Sequence, residues 1–208
     1  GSTGGVLILE VVNGITVNSG GTINATGKGF RAGQNAGENN TDYGIQNYVF
    51  NLSTFGAEKG EGIGGNTSDY DGMSGRYCKG APLNGGGGAN AHNAGGGGGG
   101  NCGTLGWTGR GVPDVSNASW ANAWNLEYSG FASSNSSGGG KGGYSFSASN
   151  QNALVQGPTN AIWGGDIRRE NGGRGGHPLD YSTGKIFMGG GGGAGDQNNN
   201  YGGAGGNG

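Results

Sequence analysis

Glycine limits what this chain can fold into more than any other feature. In "GGGGANAHNAGGGGGGN", residues 85–101, ten of seventeen positions are glycine. Further glycine-rich runs lie at 138–143, 172–176 and 189–208, separated by aromatic or polar excursions. Such a composition is ordinary in low-complexity chains, and glycine loses more backbone entropy on folding than any other residue. Three readings compete: a flexible tether, plain turns in a β fold, or backbones packed too closely for a side chain. A tether does not need separated, repeated runs, and it favours serine among its glycines. Extended left-handed helices have three residues per turn and no internal hydrogen bonds. Packed side by side they bond to one another, admit only glycine at their contacts, and add weak Cα–H···O contacts. The recurrence of the runs therefore predicts packed polyglycine-II helices.

Composition argues that the chain folds. Its 208 residues include 58 glycines, yet the net charge is only −2 and charged residues make up 12%. Chains held open by self-repulsion carry more charge. There are also 4 Trp, 8 Tyr and 6 Phe, and each aromatic buries a large area. Eleven basic residues and a pI near 5.6 supply no basic patch for nucleic acid. No apolar run is long enough to span a bilayer. The length suits one glycine-rich module over 1–208, with a β-rich part at 1–56 and glycine-rich excursions with aromatic loops at 57–208. The final "GGAGGNG" would run smoothly into the opening "GSTGGVLILEV", so the sequence reads as a fragment or repeat of a much longer chain.

Fold class follows from the pattern as mostly β, with little or no α-helix. "GVLILEVV", residues 5–12, is β-branched and is followed by the turn pair Asn13-Gly14. Ile15, Val17, Ile23 and Ala25 are spaced two apart within short segments, which predicts short strands in solenoid-like rungs, with a hairpin as the alternative. Further short strands are expected within 43–56, 142–150 and 181–190, and a strand or turn at 161–171. Residues 115–131 read as one helical turn or an aromatic-rich loop.

Cys78 and Cys102 flank the opening stretch. A disulfide there would close a loop of about 25 residues and stabilise by roughly 3 kcal/mol; the alternative is two free thiols. His92 stands alone between them, which argues against zinc. Asp69 and Asp71, with Asn66 and Gly72 beside them, offer oxygen ligands for calcium. They lack the third acid and the terminal glutamate of an EF-hand loop, and a polar Asx turn is the alternative. "GGGGGAGDQNNN" echoes a calcium-binding nonapeptide but has Ala194 where glycine belongs. No cofactor other than calcium is suggested. Trp107, Trp120, Trp124 and Tyr128 are the binding candidates, because exposed aromatics stack on sugars and anchor interfaces. The alternative places the tryptophans, Trp163 included, in a small core beside the glycine. His92 and His177 sit beside glycine runs, where imidazoles hydrogen-bond exposed carbonyls.

No phosphate loop, nucleophile elbow or paired-acid arrangement is present. Asp166, Arg168, Arg169 and Glu170 form the densest charge cluster and read as a solvated turn.

"GGTINATGKGFRAG", "GEGIGG", "KGAPLNGGGGANAHNAGGGGGGN" and "GGRGGHPLDYSTGKIFMGGGGGAGDQNN" resemble a glycine-rich module of very large secreted bacterial surface proteins. These are the Bacteroidetes type IX-secreted and gliding-motility adhesins, together with some myxobacterial proteins. The resemblance spans most of 4–208 and is most specific at 80–101 and 172–199. A more distant likeness is to the glycine-rich domain of anaplastic lymphoma kinase-type receptors, for fold only. The resemblance implies an extracellular, non-enzymatic structural or adhesive module: a stiff stalk that displays an adhesive surface. The implied partners are other modules of the same chain, identical subunits or surface polysaccharide. The other reading is a glycan- or receptor-binding adhesin tip, of the phage tail-tip type, that uses the aromatic loops.

Overall fold

The computed structural model describes residues 12–25, 27–37, 47–90, 94–101, 139–140, 142–143, 172–180, 182, 187–197, 203–206 and 208. The only helices among them are a 3₁₀ turn, Ser53–Phe55, and one short α-helix, α1, Thr67–Gly72. Isolated bridges pair Gly37 with Asp196, Phe50 with Tyr77, Glu58 with Tyr77 and Gly62 with Gly65. No sheet forms among the described residues.

Extended runs take the place of a sheet, and their hydrogen bonds repeat every third residue. In 86–89, Gly86 N–H donates to Gly191, Gly87 to Arg174, Gly88 to Cys78, and Ala89 again to the 187–197 run, at Ala194. The same return appears along 187–197. Gly190, Gly193 and Asp196 donate to Gly100, Gly97 and Ala94, whereas Gly192 and Gly195 donate to Gly206 and Gly203. Gly191 and Ala194 donate to Glu61 and Glu58. Successive residues thus serve three different neighbours. A strand ladder sends its bonds to two sides in one plane, which is why these runs do not assemble as sheets. Burial follows the same repeat at the bundle edge: Ala94, Gly97 and Gly100 are buried, and the residues between them are half-buried.

Glycine is required in these runs for space. A Cβ on Gly60 would overlap the Gly191 carbonyl, one on Gly88 that of Ala57, one on Gly97 that of Arg174, and one on Gly193 that of Gly87. None of these four glycines has a positive φ, so any residue could adopt the backbone and no side chain could fit. Where the contact is looser, alanine fills the core, and Ala57, Ala89, Ala94 and Ala194 are buried.

The strands expected at Ile15–Val17 and Ile23–Ala25 are not formed. Those side chains are exposed. The neighbouring backbone bonds are local, from Gly21 N–H to Asn18 at 2.8 Å and from Lys28 N–H to Ala25 at 3.1 Å. Among the described residues no strand ladder forms there, so solenoid rungs are absent from the described part of 1–56. Within 43–56 the described residues give one bridge at Phe50 and the 3₁₀ turn, and 187–190 enters the bundle as an extended run. Residues 5–11, 43–46, 115–131, 144–150, 161–171, 181 and 183–186, where further strands, turns or a helical turn are expected, lie outside the described residues.

Helix α1 was not expected, although its signal is local. The Asn66 side chain accepts from Ser68 N–H at 2.8 Å and Asp69 N–H at 3.3 Å, and Asp69 Oδ2 accepts from Asn66 N–H at 2.8 Å. This reciprocal pair is a capping box with aspartate in the glutamate role. The helix stops at Met73, before Ser74 turns to φ 53°. It buries Tyr70 against the bundle.

Candidate functional site

"AEKGEG", residues 57–62, displays the three-residue repeat in its side chains. Glu58 and Glu61, three apart, serve arginines on one side, Lys59 serves carbonyls on another, and Gly60 lies against Gly191. Glu58 accepts from Arg76 Nε at 3.0 Å and from the Gln34 and Asn35 N–H groups at 2.7 and 2.8 Å. Glu61 makes a two-point ion pair with Arg31 and accepts from Thr67 N–H at 3.0 Å. Burial alone would raise the Glu61 pKa. The Arg31 hydrogen bond and the Thr67 N–H outweigh it, and the carboxyl is held below its usual range. Arg76 also reaches Asp71 at 3.2 Å. The two glutamates therefore join run 29–37, run 56–62 and α1 through charge-assisted bonds, which are stronger than neutral ones.

Lys59 is buried, and its ammonium donates to the carbonyls of Tyr48, at 2.8 Å, and Tyr77. Among the described residues no carboxylate pairs with it, and burial pushes its pKa down to about 8. It lines a groove of about 720 Å3 together with Tyr48, Val49, Tyr70, Met73, Leu83 and Arg174. Val49, Met73 and Leu83 are 61%, 65% and 52% exposed, a concentration of open apolar surface of the kind that marks binding sites. Arg174 donates to Tyr48 Oη at 3.1 Å and its guanidinium lies 5.7 Å from the Tyr48 ring centre; the Lys79 ammonium lies 4.9 Å away. Among the described residues two cations and no acid line the groove. The arrangement suits a ligand with an apolar body and a negative charge.

Asp69 caps α1 and Asp71 pairs with Arg76. No group of three or more His, Cys, Asp or Glu side chains that could hold a metal occurs among the described residues. Cys78 carries a free, buried thiol that donates to the Phe55 carbonyl at 3.2 Å, and burial pushes its pKa up to about 11. Cys102, its expected partner, lies outside the described residues, as do Trp107, Trp120, Trp124, Tyr128, Trp163 and His92. His177 is exposed, and its Nδ1 lies 2.6 Å from the carbonyl of the next residue, Pro178.

Sequence reasoning missed the groove. Its residues come from 48–49, 59–64, 70–83 and 174, and only the fold assembles them. The paired glutamates were accessible through the spacing of Glu58 and Glu61 beside Gly60, the interval of a three-residue turn.

Comparison with known proteins found no matching family model, no matching curated protein and no matching solved structure. Among the described residues no helix is long and apolar enough to cross a membrane.

Proposed function

We propose that the chain is a non-enzymatic structural module of an extracellular bacterial surface protein, built as a bundle of polyglycine-II helices that gives a stiff stalk for adhesion or gliding. The observation that carries this reading is the three-residue return of backbone hydrogen bonds between runs about a hundred residues apart, such as Gly86 to Gly191 and Ala89 to Ala194. A rod held by backbone bonds on several sides resists bending and leaves little extended chain for a protease to grip. The extracellular setting and the adhesive role rest on the resemblance of the sequence to secreted glycine-rich modules. A circular-dichroism melt paired with limited proteolysis tests the bundle. A cooperative transition with residues 85–100 and 189–197 resistant to cleavage is expected. Rapid cutting inside those runs in the native protein would overturn it.

A second reading, a glycan- or receptor-binding tip, is favoured by the groove beside Tyr48. Here the contact surface is Tyr48, Val49, Met73 and Leu83, with Lys59 and Arg174 supplying positive charge. Titration calorimetry with uronic-acid oligosaccharides against their neutral counterparts checks it. Saturable binding of the acidic sugars that Arg174→Ala weakens supports a tip, and no heat from either set removes it.

A further inference from the structure

Run 187–197 is the centre of the bundle. Among the described residues its hydrogen bonds reach five surrounding runs: 30–37, 58–61, 86–89, 94–100 and 203–206. Equal rods packed side by side surround one another hexagonally, so one position beside this run is open. That position is a trough of about 690 Å3 between 94–99 and 203–208, with 190–196 as its floor. The backbone around it is left unbonded at the same three-residue interval. Among the described residues the Gly190 and Gly193 carbonyls accept no hydrogen bond, Gly96 and Gly99 make none through N–H or C=O, and the Gly203 and Gly206 N–H groups donate none.

Gly203 and Gly206 add an independent observation. A Cβ on either would meet nothing within 4 Å, and neither has a positive φ. On Gly205 and Gly208, in the same run, a Cβ would overlap the Gly192 and Gly189 carbonyls. Packing within the chain accounts for glycine at 205 and 208 and leaves 203 and 206 unexplained. Glycine on an outward face lets another backbone approach closely. Unpaired rows of N–H and C=O are a template for a further chain, as at a sheet edge.

The occupant must be an extended glycine-rich backbone. Every run of three or more consecutive glycines in this sequence, at 85–88, 95–100, 138–140 and 189–193, already contributes hydrogen bonds to the bundle. We propose that the trough is filled by the 203–208 run of a second copy of this chain, each copy completing the ring of runs around the other's 187–197. The same surface then serves both partners, as in a two-fold interface. This inference rests on the polyglycine-II reading.

Sedimentation equilibrium of the wild-type chain and two variants tests it. The wild type is expected to be a dimer that dissociates on dilution. The G203V/G206V double variant, altered only where space is open, is expected to melt like the wild type and to dimerise at least about tenfold more weakly. Gly205→Val, placed against the Gly192 carbonyl, is expected to lose the cooperative melt. A wild type that is monomeric at every concentration overturns the inference, and so does a double variant that dimerises equally. A Gly205→Val protein as stable as the wild type overturns the bundle reading itself. If the double variant fails to fold, amide exchange on the wild type decides: Gly203 and Gly206 N–H protected at high concentration and free on dilution supports the dimer, and free exchange at both overturns it.

Discussion

Two neighbouring regions of this molecule are held by different chemistry. In 84–90 and 187–197 the backbone does nearly everything: glycines and alanines bond through N–H and C=O, and the core is made of peptide groups. In 56–79 side chains do the joining, with Glu58, Glu61, Arg31 and Arg76 tying α1 and run 29–37 to the bundle. The first region admits almost no substitution because a missing side chain is its structural element. The second depends on charge as well as on space, since each buried carboxylate depends on a particular partner.

The comparison breaks most sharply at Gly88. A valine there would force a Cβ into the Ala57 carbonyl, with backbone on every side and no flexible atom to yield. Gly88→Val is expected to abolish cooperative unfolding, as read by a thermal melt. Glu58→Ala is expected to cost about 2–4 kcal/mol in urea denaturation, because Arg76 and the two N–H groups at 34–35 lose their acceptor.

Between pH 7 and 9 the side-chain region sets the pH response. Lys59 titrates at about 8 in the folded chain and near 10.5 when unfolded. The unfolded state binds more protons between those values, so stability rises with pH, by about 1 kcal/mol from pH 7 to 9. Cys78 has the opposite sign. Its folded pKa of about 11 exceeds the ordinary 9, so the folded state keeps its proton longer and its contribution to stability falls between pH 9 and 11. Melting temperature is expected to rise from pH 7 to a maximum between pH 9 and 10, where the fall from Cys78 and from Tyr70, whose phenol burial holds above its ordinary range, overtakes the rise from Lys59, and Lys59→Met is expected to flatten the rising limb. A monotonic fall from pH 7 would refute the assignment.

The smallest effect is expected at α1, which touches the bundle through few groups. Asn66→Ala removes the cap and is expected to cost about 1 kcal/mol. Gly72, whose Cβ position is open, sharpens the contrast with Gly88. Gly72→Ala is expected to raise stability by about 0.5–1 kcal/mol in the same denaturation experiment.

Much of the bundle was legible in the sequence. Runs such as 85–88 and 189–193 announce backbone packing, because glycine in that density and with that recurrence serves neither a linker nor a strand. The capping box at Asn66 and Asp69 was also legible, since it needs residues only three apart. The expected strands at Ile15–Val17 failed because alternation describes a face and does not supply a partner to cover it. Burial of Lys59 was not legible. A lysine between two glutamates reads as a solvated charge until the fold turns it toward the carbonyls of Tyr48 and Tyr77.

By itself the sequence determined where bare backbone can come together, in its recurrent glycine runs, because glycine removes the side chains that would hold neighbours apart. The tertiary structure alone decided which glycines face inward. Gly205 and Gly206 are adjacent and identical in the sequence, yet one lies against the Gly192 carbonyl and the other against open space. A residue carries no record of which distant run approaches it. That depends on how the runs pack around 187–197, and their order is settled only when all of them are in place.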